Sequence, residues 1–154
     1  MRKTLSILPL IAVLLAACSP AASVPTQAPE ATPPEITVLV LAFGDRLKNV
    51  ALLAPDAAQQ IEDQYAEFVT PDLLAAWQAD PLQAPGRLTS SPWPDEIRIY
   101  AIEPITDQQY RVVGAVVEVT SAEADMLPGY GIELTVSFLD GKWLISAYVS
   151  QLEQ

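Results

Sequence analysis

The sequence predicts an α+β fold in which N-terminal helices pack on a curved four-stranded antiparallel sheet. Three observations support this. Apolar residues recur at helical spacing before residue 80, and apolar and polar residues alternate in four segments after residue 95. Asp140-Gly141, the preferred pair of a two-residue type I′ hairpin, joins the last two segments.

The first helix is expected to begin at the capping box Thr32-Pro33-Pro34-Glu35 and to run to about residue 53. Its buried face would comprise Ile36, Val40, Phe43, Leu47 and Val50. The alternative is a strand over residues 36–43, because that run is β-branched and Gly44-Asp45 would suit its end.

Two shorter helices follow. The second opens at Pro55-Asp56 and the third at Thr70, with Pro71 in its first helical position and an end before Pro81. Their predicted buried residues are Ile61, Tyr65 and Phe68 in the second helix and Leu73, Leu74 and Trp77 in the third.

A proline-rich connection between Asp80 and Asp95 is expected to form a fixed loop between the helical and strand halves. Within it, Trp93 stands between two prolines. It would either cap a pocket or cover the edge of the core.

The strands are predicted over residues 96–102, 110–120, 131–138 and 143–149, with Gly114 as a bend or bulge. A type I′ turn places Leu139 opposite Lys142. The expected inward pairs are then Phe138 with Trp143, Val136 with Ile145, Leu134 with Ala147 and Ile132 with Val149. On the outer face, Ser137, Thr135 and Glu133 would meet Leu144, Ser146 and Tyr148.

The N-terminus has the layout of a secretory signal: basic residues at Arg2 and Lys3, then a mainly apolar run over residues 5–17. The tetrad Leu15-Ala16-Ala17-Cys18 resembles the lipobox of bacterial lipoproteins. That resemblance implies that Cys18 is diacylated on sulfur and becomes the new N-terminus. The alternative is an ordinary secretory signal cut after a small residue such as Ala22.

The resulting organisation is a signal peptide over residues 1–17, a lipidated cysteine with a Pro/Ala-rich disordered tether over 18–34, and one domain over 35–154. The expected location is extracytoplasmic, attached to the bacterial cell membrane through acyl chains on Cys18. Ser19 favours the outer membrane if the cell has two, by the sorting rule known for such lipoproteins. Cys18 is the chain's one cysteine, so no internal disulfide can form.

Composition excludes several kinds of chemistry. With 19 acidic and 8 basic residues, the chain has a formal net charge of -11, which makes nucleic acid a poor partner. There is no histidine, so Ser-His-Asp catalysis and His-containing zinc sites are excluded. The acidic pairs Glu62-Asp63, Asp95-Glu96 and Glu123-x-Asp125 lack the pattern of a calcium loop. We therefore expect no metal and no cofactor.

The order of elements over residues 35–154 resembles the nuclear-transport-factor-2-like (cystatin-like) superfamily, in which a bent sheet wraps a long helix into a cone. That superfamily includes ketosteroid isomerases, dehydratases, transport factors and extracytoplasmic domains of unknown role. The resemblance implies a fold and leaves the activity open.

Two functions are compatible with these features. The first is a non-enzymatic binding or assembly module, because the strand over 110–120 is apolar on both faces and one face would remain exposed. The expected interface, for a homodimer or for another envelope protein, is Leu144, Tyr148, Val112 and Val116.

The alternative is a small-ligand carrier or an isomerase-like enzyme that uses the interior of the cone. The candidate pocket residues are Trp77, Trp93, Tyr100 and Glu118, with Glu118 as acid and Tyr100 or Tyr148 as hydrogen-bond donor. Glu118 would otherwise lie at a solvent-exposed strand end. A roomy pocket with a polar base favours this alternative, whereas a core filled by Trp77, Phe138 and Trp143 favours the first function.

Overall fold

The computed structural model describes residues 33–120 and 126–151, with no description of the side chains of 33 and 126–128. Within these ranges, three α-helices pack against a four-stranded antiparallel sheet in the order β1-β2-β3-β4, which confirms the α+β prediction. The helices are α1 (Pro33–Gly44), α2 (Ala57–Tyr65) and α3 (Pro71–Ala79), and the strands are β1 (Trp93–Thr106), β2 (Gln109–Val119), β3 (Met126–Leu139) and β4 (Lys142–Gln151). The predicted signal peptide and most of the tether lie outside the described residues.

The first helix has the predicted face but is shorter than predicted. The residues of that face are all fully buried: Ile36, Val40, Phe43, Leu47 and Val50. The helix ends at Gly44, where an added Cβ would lie 3.0 Å from the backbone nitrogen of Ile97, and a 3₁₀ turn follows at Leu47–Asn49. The close approach of β1 therefore ends α1 early, and the alternative strand over 36–43 is wrong.

The segment between α2 and α3 covers the free edge of the sheet. The Ile145 amide donates to the Phe68 carbonyl oxygen at 2.9 Å, and the Thr70 amide donates to the Ile145 carbonyl oxygen at 2.9 Å. Pro71 then occupies the first turn of α3, as predicted. These bonds satisfy backbone groups of β4 that would otherwise be available to another strand.

The last hairpin follows the predicted register for four pairs and then departs from it. Asp140 and Gly141 both have positive φ, at 50° and 85°, as a type I′ turn requires. The confirmed pairs are Leu139 with Lys142, Phe138 with Trp143, Ser137 with Leu144 and Val136 with Ile145. A β-bulge at Ser146 then shifts the register, so that Thr135 pairs with Ala147 and Leu134 with Tyr148.

This bulge reverses the orientation of the side chains that follow it. One extra residue moves each later side chain to the opposite face of the sheet. Tyr148 consequently packs against the core, and Val149, expected inside, is 56% exposed. The predicted pairing of Leu134 with Ala147 and the predicted outward position of Tyr148 are wrong.

The core lies between the helices and the inner face of the sheet, and its aromatic centre comes from the helical layer. Phe43 contacts the rings of Tyr65, Phe68 and Trp77 with centroid distances of 5.0, 6.2 and 6.3 Å. Phe138 and Trp143, predicted to face inward as a pair, are only half-buried. The largest side chains of the core are therefore grouped around Phe43.

The predicted interface is not a surface. Val112, Val116 and Leu144 are 1%, 0% and 3% exposed. The two valines lie on the face of β2 that packs against the helices. Of the two apolar faces of this strand, the one with Val112 and Val116 is therefore the buried one. The prediction that these three side chains are exposed is wrong, while association through the sheet stays a prediction.

Candidate functional site

A cavity of about 540 Å³ lies between the sheet and the segment that follows α3. Its volume falls within the range of roughly 300 to 1,000 Å³ typical of small-molecule sites. The apolar part of its wall consists of Leu52, Leu82, Ala84, Pro85, Leu88, Pro92 and Pro94. The polar side chains are those of Gln83, Thr89, Glu118, Tyr130, Tyr148 and Ser150.

The loop wall of the cavity is held in place by the helical layer. The Tyr65 hydroxyl donates to the Pro85 carbonyl oxygen at 2.7 Å. The Arg87 amide donates to the Val50 carbonyl oxygen at 2.8 Å, and the Leu52 amide donates to the Arg87 carbonyl oxygen at 2.9 Å. These bonds fix the connection between the two halves, as the sequence predicted, and make it a preformed wall.

Gly86 allows this close approach. A Cβ at this position would lie 2.9 Å from the Val50 carbonyl oxygen and 3.0 Å from a methyl carbon of Leu52. A larger residue would therefore push the loop away from the helices and change the width of the cavity.

Tyr148 joins the cavity to the core. Its ring packs edge-on against Trp77 with a centroid distance of 6.0 Å and an interplanar angle of 81°. Its hydroxyl oxygen is buried and has no hydrogen-bond partner of regular geometry among the described residues. Burial, and secondarily the neighbouring Tyr130, raise the pKa of Tyr148 well above its ordinary value. The hydroxyl is therefore a neutral, protonated donor at physiological pH.

Tyr130 and Glu118 complete the polar end of the cavity. Burial raises the pKa of the Tyr130 hydroxyl, a hydrogen bond from the neighbouring Tyr148 hydroxyl partly offsets this rise, and the negative charge of Glu118 adds to it. Tyr130 on β3 pairs with Val116 on β2, and Glu118 on β2 pairs with Pro94 on β1 and Leu127 on β3. Glu118 is half-buried and lines the cavity, so it does not project into solvent from the strand end.

The other predicted pocket residues have different positions. Trp77 is 3% exposed and lies behind Tyr148 rather than on the cavity wall. Tyr100 is 68% exposed, because a bulge in β1 places it between Ile99 and Ala101 without a partner on β2. The prediction that Tyr100 belongs to the pocket is wrong.

Trp93 is likewise absent from the cavity wall, although its neighbours Pro92 and Pro94 line it. Neighbouring residues of a strand point to opposite faces, so the buried Pro94 directs Trp93 away from the cavity. The assignment of Trp93 as a pocket residue is wrong.

Sequence reasoning missed Tyr130 and Ser150. Tyr130 precedes Ile132 and Leu134 at a spacing of two, which places it on the same inner face of β3. This alternation was visible in the sequence. Ser150 reaches the inner face because of the bulge at Ser146, which the sequence did not reveal.

The charge of the cavity selects among ligands. Glu118 is an acidic residue in its wall, and the described lining residues include no basic side chain. A carboxylate in a partly desolvated wall repels anions and attracts cations or hydrogen-bond donors. Within residues 33–120 and 126–151, no three His, Cys, Asp or Glu side chains come together to hold a metal ion.

The fold and this cavity define a small α+β domain with a tyrosine-lined pocket at one end of its sheet. No protein-family model matches the chain, and no curated protein matches it. Among the helices in the described ranges, none has the length and apolar character needed to cross a membrane.

Proposed function

We propose that this protein is an extracytoplasmic bacterial lipoprotein whose domain binds a small, mainly apolar molecule in the tyrosine-lined cavity. The observation that carries the proposal is a cavity of about 540 Å³ with mainly apolar walls and, at one end, the buried hydroxyl of Tyr148 beside that of the half-buried Tyr130. The tetrad Leu15-Ala16-Ala17-Cys18 supports the membrane anchor. The resemblance to the nuclear-transport-factor-2-like superfamily supports ligand binding inside the fold.

The groups in the wall define the ligand class. Tyr130 and Tyr148 keep their protons and donate hydrogen bonds, so they fit a carbonyl, ether or hydroxyl oxygen. Glu118 accepts hydrogen bonds and fits a hydroxyl, an amide or an amine. The ligand is therefore neutral or cationic, with an apolar body and one or two polar groups at one end.

Binding of a small molecule is better supported than an assembly role. Three of the four residues expected to form a protein interface are buried, and the fourth, Tyr148, lines the cavity. A carrier needs a preformed pocket and no catalytic group, which agrees with a chain that lacks histidine.

An isomerase-like activity is a second candidate, because one cavity contains both Glu118 and the two neutral phenols. In such a reaction the carboxylate removes a proton next to a carbonyl, and the phenols donate hydrogen bonds to the developing oxyanion. Glu118-dependent exchange of that proton for solvent deuterium, measured on a small β,γ-unsaturated ketone, would support it. Exchange that persists in Glu118→Gln would rule it out.

Three probes that share one ring and differ in charge test the binding proposal: benzyl alcohol, benzylamine and benzoate. We expect benzyl alcohol and benzylamine to shift the amide resonances of Tyr148 and Ser150 saturably, and benzoate to leave them unchanged. Glu118→Gln should weaken the binding of benzylamine more than that of benzyl alcohol, because the substitution removes the negative charge of the side chain and keeps its shape.

The proposal fails if none of the probes shifts these amides, or if benzoate shifts them as strongly as benzylamine does. Leu139→Trp is the control for a substitution outside the cavity, since Leu139 is 41% exposed at the hairpin and does not line the cavity. It should leave the binding of the probes unchanged.

A further inference from the structure

A second, smaller cavity of about 240 Å³ lies beside the first and shares part of the same loop. Its wall combines apolar side chains with one guanidinium and two hydroxyl groups. The lining residues are Ala51, Leu53, Ala54, Arg87, Leu88, Thr89 and Ser90. Its described lining residues include no carboxylate, so its charge is opposite to that of the tyrosine-lined cavity.

Arg87 is the polar group that needs an explanation. Its Nε atom is buried and has no hydrogen-bond partner among the described residues. Its backbone amide and carbonyl are both used in bonds to Val50 and Leu52, which hold the residue in place. A buried donor without an acceptor is rare in folded proteins, because it has lost water and gained nothing in return.

The other arginines of the described domain make the contrast clear. Arg46, Arg98 and Arg111 lie 3.6, 3.0 and 2.7 Å from glutamate oxygens. Acceptors are plentiful, since the chain has 19 acidic residues and 8 basic ones. An arginine without such a neighbour among the described residues, at the wall of a cavity, is therefore available to an anion from outside the chain.

We propose that the Arg87 cavity binds the carboxylate group of a small organic acid. The planar guanidinium matches a carboxylate through two parallel N–H···O bonds. The apolar walls at Ala51, Leu53 and Leu88 accommodate a short hydrocarbon body. Its volume, below the roughly 300 Å³ of typical ligand sites, restricts the occupant to a small acid. Free phosphate fits less well, because beside Arg87 the wall offers it mainly apolar surface and the Ser90 hydroxyl, while the Thr89 hydroxyl already donates to the Ser91 and Pro92 carbonyl oxygens.

The test uses butyrate and inorganic phosphate as probes on the full chain purified in detergent, at a constant ionic strength of about 0.15 M. Millimolar butyrate should shift the Arg87 Nε–H resonance saturably and leave that of Arg98, which has a glutamate neighbour, in place. Arg87→Gln should weaken butyrate binding about tenfold or more, since a charge-assisted pair is lost. Lys142→Gln, which removes an exposed cation from the hairpin, should change nothing.

Arg87→Lys is a second variant for the case in which Arg87→Gln does not fold. It keeps the positive charge and should retain part of the affinity for butyrate. The proposal is overturned if saturating butyrate leaves the Arg87 Nε–H resonance unmoved, or if folded Arg87→Gln binds butyrate as the wild type does. An affinity for phosphate equal to the affinity for butyrate would also overturn it and would indicate a general oxyanion site. These outcomes do not depend on the benzylamine results, which report on Tyr148 and Ser150.

Discussion

Tyr148 packs edge-on against Trp77, with ring centroids 6.0 Å apart, while its hydroxyl is buried at the wall of the tyrosine-lined cavity. One side chain thus belongs both to the aromatic core and to the candidate binding site. Because Trp77 in turn contacts Phe43 and Tyr65, the position of the Tyr148 hydroxyl is set by the packed interior. A donor held in this way is preorganised for a ligand acceptor.

Replacement of Tyr148 by phenylalanine should separate stability from binding. A buried hydroxyl without a regular partner costs about 1 to 3 kcal/mol, so Tyr148→Phe should leave the free energy of unfolding unchanged or raise it. It should also weaken binding of benzyl alcohol. Denaturant unfolding measures the first effect.

Tyr65→Phe is the matched control for this prediction. It removes a 2.7 Å hydrogen bond to Pro85 and should lower the free energy of unfolding by about 1 kcal/mol. Equal destabilisation by both variants would show that the Tyr148 hydroxyl has a structural partner.

Alkaline pH should destabilise the domain through its buried tyrosines. Burial raises the pKa of Tyr65, Tyr130 and Tyr148 in the folded state above the ordinary value near 10. The unfolded chain therefore loses these protons first as the pH rises. The contribution of these tyrosines to the free energy of unfolding should be constant below about pH 10 and should fall above it.

Urea unfolding between about pH 8 and pH 12 tests this dependence. The double variant Tyr65→Phe/Tyr148→Phe should show a flatter decline than the wild type. An identical decline would mean that other groups cause the loss of stability.

The hairpin turn offers a test of backbone strain without steric complications. Gly141 has a φ of 85°, and an added Cβ would meet nothing within 4 Å. Gly141→Val should therefore cost about 1 to 3 kcal/mol through backbone strain alone. Gly141→Asn should retain most of the stability, because asparagine tolerates positive φ. Equal melting temperatures for both variants and the wild type would contradict the turn geometry.

The anchor is tested at Cys18. Cys18→Ala should abolish lipid attachment and leave an unprocessed precursor, whereas the mature wild type should begin at Cys18 and carry added acyl mass. Intact-mass analysis distinguishes these forms. An unmodified thiol, or an N-terminus beyond Cys18, would refute the anchor.

The sequence was informative wherever a single local pattern decided the structure. Helical spacing identified the buried faces that contain Ile36 and Ile61, and Asp140-Gly141 identified the hairpin and its first pairs. The end of α1 at Gly44 was harder to predict, because it depends on the approach of β1 at Ile97.

Both misplaced tyrosines result from bulges. Ser146 brings Tyr148 inward, and the irregularity at Tyr100 leaves that residue exposed. Alternation along β4 fits a regular strand and a bulged one equally well, so only pairing with β3 distinguishes them. The site depends on this distinction. The sequence pattern predicted Tyr148 both as an outward interface residue and as one of two donors beside Glu118, and it could not decide between these positions.

The most direct test of the central claim is native mass spectrometry of the full chain, purified under mild conditions from cells that produce it. The wild type and Leu139→Trp should retain a small molecule in a one-to-one complex. Leu82→Trp, which replaces a 57% exposed residue of the cavity wall with a larger ring, should lose it. If the wild type carries no small molecule and binds neither benzyl alcohol nor benzylamine, or if Leu82→Trp retains the ligand fully, the cavity is not a binding site.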